Sequence, residues 1–93
     1  MDTYEKNTPG IPELYCAEDV TDHIIDLASE LLEISSDDIE PDTKFSSMGF
    51  DSMMMIRFSQ RIFSQLGVQV RPHELFRYYN AELLGKHIFE KIS

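Results

Sequence analysis

An all-α fold is predicted for this 93-residue chain: a small four-helix bundle with a long loop between helices 1 and 2 and a short third helix. Three observations predict it. Residues 18–33, 52–66 and 81–92 each repeat apolar side chains at spacings of three and four, the helical period. Gly, Pro and Asn punctuate the stretches between them. No segment alternates apolar and polar residues for long enough to make a strand. Helices that each carry one apolar stripe must bury it against one another, which makes a bundle.

In the first helix, Glu18 to Glu33, the stripe is Val20, Ile24, Leu27, Leu31 and Ile34, with Ala28 and Leu32 beside it. Asp19 or Thr21 is suited to cap its start, and acids in the first turn complement the helix dipole. Ser35 to Asp51 is the long loop. Loops of this length in a small domain are functional or pinned by their own side chains, and Ile39, Phe45, Met48 and Phe50 are the available pins. Its acids do not make a calcium loop. With Asp38 as the first ligand, Thr43 takes the position that requires glycine and Gly49 the position of the bidentate glutamate.

The second helix, Ser52 to Leu66, gathers Met55, Phe58, Ser59, Ile62 and Leu66 on one side, flanked by Ile56 and Phe63. Met53, Arg57, Gln60, Arg61 and Ser64 point away, with Met54 at the edge. Gly67 suits the left-handed residue that ends a helix. Val68-Gln69-Val70 is too short for a strand. Pro72 opens a short third helix, His73 to Tyr78, and Asn80 caps a fourth, Ala81 to Ile92, whose buried side is Leu83, Leu84, His87, Ile88 and Ile92. The expected common core is Phe45, Ile56, Phe58, Ile62, Leu66, Phe76 and Leu84.

Composition narrows the function. No run approaches the roughly 20 apolar residues of a membrane span, and Asp2, Glu5 and Lys6 make the N-terminus too polar for a signal peptide. Cys16 is alone, so no intrachain disulfide or cysteine-based metal cluster is expected, which fits a reducing cytoplasmic setting. The net charge of −9 argues against nucleic acid as a partner. That charge is split. Residues 1–51 hold 14 acidic and two basic side chains, a net of −12, and residues 52–93 hold three acidic and six basic, a net of +3. Residues 1–17, with Thr8-Pro9-Gly10-Ile11-Pro12, read as a linker or tail, in which Pro12 to Ala17 is able to fold back as a turn; the domain proper is 18–93. Such a tail and the end at Ser93 fit a domain within a longer synthase as well as a free-standing protein.

Ser52 is the most informative residue. It opens an apolar-periodic helix after a turn in Gly49-Phe50-Asp51-Ser52, where Gly49 permits a sharp bend and Asp51 or Ser52 caps the helix. A hydroxyl so placed is presented to an enzyme by a rigid element, although a serine after aspartate at a helix start is often no more than a cap. The segment resembles the attachment site of acyl carrier proteins, and the resemblance spans residues 20–92. Ile39-Glu40-Pro41-Asp42-Thr43-Lys44-Phe45 is similar to the family's acidic loop. Ile56, Phe58, Ile62, Leu66, Gly67 and Val68 fill the apolar places after the serine. Leu75-Phe76-Arg77-Tyr78-Tyr79 is similar to a later Leu-Phe-Asp-Tyr-Pro segment, and Leu84 and Ile88 follow.

The resemblance implies a non-catalytic carrier. Ser52 would bear a covalent 4'-phosphopantetheine arm taken from coenzyme A by a phosphopantetheinyl transferase, and acyl groups would ride on the arm as thioesters. Gly49 and Asp51 would complete the attachment site. Met53, Met54, Arg57 and Arg61 would face the partners: a ketosynthase, an acyltransferase or other biosynthetic enzymes. The Gly-Phe-Asp-Ser sequence looks more like carriers of polyketide synthases than peptidyl carriers of nonribosomal or hybrid synthetases, the alternative. As an isolated domain such a carrier is expected to be monomeric. Three departures stand out. Arg77 and Tyr79 replace the usual Asp and Pro, Met53 replaces a leucine, and arginines occupy a helix face that is acidic in fatty acid carriers. Phe58 stands where carriers at β-branching steps have a tryptophan. Two other classes remain. A hydrolase using Ser52 with His23, His73 or His87 lacks the Gly-x-Ser-x-Gly elbow and the room for a pocket. A non-covalent helical module would present Met53, Met54 and the arginines to a partner groove.

Overall fold

The computed structural model describes residues 16–92, so the N-terminal tail and any turn over Pro12 to Ala17 lie outside the described residues except at its last two positions. Four α-helices follow in order: α1 (Ala17–Leu32), α2 (Ser52–Leu66), α3 (Pro72–Arg77) and α4 (Ala81–Ile92). Two short 3-10 turns, Ser36–Asp38 and Phe45–Met48, interrupt the α1–α2 loop. The extended pairing among the described residues is a single bridge, Lys44 with Asn80.

α1 starts one residue before the expected position, and neither Asp19 nor Thr21 caps it. Its cap residue is Cys16, which makes no side-chain bond, and the Thr21 hydroxyl turns inward to donate to the Ala17 carbonyl at 3.1 Å. Thr21 is buried because α4 crosses it at Gly85. A Cβ on Gly85 would stand 2.2 Å from the Thr21 hydroxyl oxygen and 3.0 Å from its Cα. This approach packs α1 and α4 as the main helix pair of the bundle.

The core joins Val20, Ile24, Leu27 and Ala28 of α1 to Met55, Phe58, Ile62 and Leu66 of α2, Leu75 of α3, and Ala81, Leu84 and Ile88 of α4. The interhelix segments add Ile39, Phe45, Phe50, Val68 and Val70, so the two valines plug the core as chain links and not as a strand. Of the expected common core, Phe45, Phe58, Ile62, Leu66 and Leu84 are buried, but Ile56 is 43 % and Phe76 59 % exposed. The buried side of α2 centres on Phe58 and Ile62, and Ile56 lies about 120–160° from them round the helix axis at 100° per residue. Phe76 sits on a six-residue helix whose one inward position belongs to Leu75. Ile34 and Ile92, at the ends of their stripes, are also exposed. Leu31, Leu83 and His87 are half-buried.

α3 is short but fastened. The Arg71 N–H donates to the Glu74 carboxylate at 2.8 Å. His87 of α4 meets the same carboxylate at 2.7 Å, and Lys91 reaches it at 3.1 Å. The Tyr78 ring stacks on His87 at 3.9 Å between centroids. Burial alone would raise the Glu74 pKa, but the Arg71 N–H, His87 and Lys91 outweigh it and hold the carboxyl down at about 2.

Candidate functional site

The site begins in the loop that feeds α2. The Phe45 N–H donates to the Tyr79 carbonyl at 2.9 Å, the Glu82 N–H to the Pro41 carbonyl at 3.0 Å, and the Asn80 side-chain amide to the Asp42 carbonyl at 3.4 Å. Asn80 also caps α4, accepting from the Leu83 N–H at 2.8 Å. The loop is thereby sewn to the α3–α4 junction, with Lys44 over the Tyr79 ring at 5.6 Å. Three phenylalanines finish the anchoring. Phe45 meets Phe50 and Phe58 edge-on at 5.7 and 5.1 Å, and Phe50 stacks on Phe58 at 5.0 Å. Phe50 is two residues before Ser52, so the serine rides directly on the buried aromatic cluster.

Gly49 then turns the chain. Its φ of +106° lies in the region L-residues avoid, and nothing stands within 4 Å of where a Cβ would be. Its necessity is therefore conformational and not steric. Asp51 is the N-cap of α2, its carboxylate accepting from the Met54 N–H at 2.9 Å. That settles which of the two candidates caps the helix and releases the other. Ser52 is the first residue of α2 and exposed, and its hydroxyl has no hydrogen bond among the described residues. An exposed, uncommitted hydroxyl at the start of a rigid helix fits covalent attachment of a group such as phosphopantetheine. The orphan N–H groups at the same helix end favour a negatively charged phosphodiester there.

The proposed partner-facing residues divide. Met53 is 61 % exposed, and Arg57 is exposed with no ion pair among the described residues. Met54 is half-buried against the core. Arg61 is tied to Glu30 of α1, so its charge is partly spent inside the molecule. Sequence reading placed Phe63 beside the core, yet it is 55 % exposed together with Ile56 on the same helix. Among the described residues no histidine shares a hydrogen bond with Ser52, and His87 is engaged by Glu74 and Tyr78. Among the described residues no three of His, Cys, Asp and Glu are grouped to hold a metal ion. No described helix is long and apolar enough to cross a membrane.

Comparison with known proteins points the same way. The family described as the phosphopantetheine attachment site matches residues 22–88. The chain is 29 % identical over 73 residues to the polyketide synthase PksL of Bacillus subtilis, and 25 % identical over 59 residues to the phenolphthiocerol synthesis polyketide synthase type I Pks15/1 of Mycobacterium bovis. These matches take in 78 % and 63 % of this chain but 2 % and 3 % of those proteins, so it spans a small fraction of their length. The fold resembles a free-standing peptidyl carrier protein of Acinetobacter baumannii, with TM-score 0.77, 21 % identity, and coverage of 83 % of this chain and 96 % of that one. It also resembles the HMG-ACPI domain from the CurA module of Lyngbya majuscula, with TM-score 0.78, 17 % identity, and coverage of 92 % and 89 %.

Proposed function

The chain belongs to the phosphopantetheine attachment site family, and from that membership we propose that Ser52 is its attachment residue and that it carries acyl intermediates of polyketide biosynthesis. The observation that carries this reading is the free Ser52 hydroxyl at the first position of α2, beside an Asp51 that already performs the capping. Ser52 supplies the oxygen that takes the phosphoryl end of the arm from coenzyme A, the bisphosphate nucleotide leaving and the hydroxyl proton passing to a base of the transferase. When attached, the arm supplies a thiol that holds acyl groups as thioesters. The protein's own residues orient and present. Gly49 sets the turn, Asp51 fixes the first turn of α2, and the phenylalanine cluster holds both.

Met53, Met54, Arg57 and Arg61 are the side from which biosynthetic enzymes approach, with methionine giving adaptable apolar contact and arginine matching carboxylates. Tethering replaces free diffusion by a high effective concentration at each neighbouring active site, so the domain works without catalysing anything itself. The setting is the cytoplasm, where coenzyme A is available, and the domain, residues 18–93, acts as a monomer. The polyketide assignment draws on the two synthase relatives, while the likeness to a peptidyl carrier supports the alternative of a nonribosomal or hybrid synthetase.

The test is intact mass after incubation with coenzyme A and a promiscuous phosphopantetheinyl transferase. A single phosphopantetheine addition, mapped to Ser52 by peptide fragmentation, is expected. No addition, or addition elsewhere, would refute the assignment and leave the non-covalent module as the better reading.

A further inference from the structure

α3 is too short to hold itself. Isolated helices of fewer than about 12–15 residues are marginal in water, and Pro72–Arg77 is a helix of six with one buried residue, Leu75. Leu75 and side chains of α4 place it, and His87 stands at the centre of the latter. The His87 Nε2 lies 2.7 Å from the Glu74 carboxylate. Its ring lies 3.9 Å from that of Tyr78 and 11° from parallel. An ionised carboxylate only accepts, so Nε2 carries the hydrogen. Glu74 and Tyr78 are four residues apart and share one side of the helical turn. The Tyr78 N–H closes that turn on the Glu74 carbonyl at 2.8 Å. One imidazole thus holds both ends of the last turn of α3. Lys91, one turn further along α4, reaches Glu74 and the Gln69 carbonyl.

The hold continues to the attachment loop. Tyr78 is the C-cap of α3, and the next residue, Tyr79, gives its carbonyl to the Phe45 N–H at 2.9 Å. Asn80 follows, paired in a bridge with Lys44. The Phe45 carbonyl accepts the Phe50 N–H at 3.3 Å, and Phe50 is two residues before Ser52. Adjacent contacts therefore lead from His87 through Tyr78, Tyr79, Phe45 and Phe50 to the serine. Tyr79 is 44 % exposed, so its own burial adds little to fix that carbonyl.

We propose that His87 is a positioning residue for Ser52: by stacking on Tyr78 it fixes the Tyr79 carbonyl, and through that carbonyl the loop that presents the hydroxyl to the phosphopantetheinyl transferase. The proposal rests on the reading of Ser52 as the attachment residue. The role of His87 is indirect. It sets the fraction of molecules in which the loop is closed on the α3–α4 junction, and the apparent affinity of an enzyme that needs the closed loop scales with that fraction.

Two variants of the full chain separate the two contacts of the imidazole. His87→Gln keeps a donor for Glu74 and loses the ring, whereas His87→Phe keeps the ring and loses the donor. An aromatic pair shifts a local equilibrium by a factor of about 2–10. Amide hydrogen exchange at Phe45 and Phe50, followed by NMR, should quicken by that factor in His87→Gln and by less than about twofold in His87→Phe. Both are read relative to Ile62 in the core of α2, whose exchange reports unfolding of the whole domain. Steady-state loading by a purified promiscuous phosphopantetheinyl transferase, with coenzyme A saturating and the carrier varied, is the second readout. It is run at the highest temperature at which melting curves show all three chains folded, where the open loop is most populated. KM for the carrier should rise about twofold or more in His87→Gln with kcat little changed, and should return toward wild type in His87→Phe. A merely structural histidine would speed exchange equally at Phe45, Phe50 and Ile62, or leave KM unchanged, and either result overturns the proposal. So does a KM that rises more in His87→Phe than in His87→Gln, since that assigns the effect to Glu74 and not to the Tyr78 stack. Failure of the wild type to load at all refutes the Ser52 reading instead, and the exchange pattern still decides whether His87 holds the loop.

Discussion

At the start of α2 the structure gives the cap to Asp51 and leaves the Ser52 hydroxyl uncommitted among the described residues. Asp51 holds the cap bond to Met54, so Ser52→Ala forfeits no cap. It should abolish loading while shifting stability by less than about 0.5 kcal/mol, as surface changes away from special features do; mass spectrometry and a melting curve read both. Asp51→Ala should cost about 1 kcal/mol by the same logic. Gly49 contrasts with both. Its φ of +106° lies far from what alanine tolerates, although space is open around it. Gly49→Ala should therefore destabilise by about 1–2 kcal/mol through backbone strain alone, seen as a lower melting temperature. Phe58→Ala would remove the ring on which Phe50 stacks and should cost about 3–5 kcal/mol, a large part of the stability of a domain this size.

Among the elements, α1 and α4 approach each other closely where Gly85 meets Thr21. Gly85→Ala puts a methyl into the Thr21 side chain and close to its backbone, an overpacking expected to cost about 1–3 kcal/mol. Thr21→Ala in the same chain should recover only part of this, since the Thr21 Cα and N remain at 3.0 Å. α3 depends on Glu74. A carboxyl lowered from 4.5 to about 2 stabilises the fold fully above its unfolded value, and the contribution is lost as pH falls from about 4.5 toward 2. Glu74→Gln should thus lose on the order of 3 kcal/mol at neutral pH, and its deficit relative to wild type should vanish near pH 2; urea melts across that range measure it. The helix bounds were legible because period and punctuation agree: Ser52 to Gly67 begins on an acidic cap and ends on a glycine at φ 72°. The misplacement of Ile56 and Phe76 has a physical origin. Period identifies a stripe but not which flank meets a neighbour, and six residues of α3 are too few to define one. The sewing of the loop to Tyr79, Asn80 and Glu82 runs through backbone groups, which leave no mark on residue identity.

For the molecule as a whole, charge is the organising asymmetry: α1 contains five acids and no lysine or arginine, while α2 has two arginines and no acid. Their meeting point is Arg61 with Glu30, an exposed pair whose worth is about 1 kcal/mol or less. Reversing Arg61 would set two carboxylates together, so Arg57→Glu alone is the cleaner probe of partner recognition. It should slow acyl transfer by a cognate biosynthetic enzyme at low salt and flatten the salt dependence, with the fold intact; unaltered kinetics would move recognition to the acidic loop from Asp37 to Asp42. The stitching of residues 41–45 to residues 79–82 has a consequence in time. The serine is made before the groups that steady its loop and before the helix that completes the core. A nascent chain that has emerged from the ribosome only as far as Tyr78 would display the hydroxyl without its support. Release-arrested chains of increasing length should stay unmodified until α4 has emerged, so that the arm is added only to finished domains and an unfinished one never draws on the coenzyme A pool.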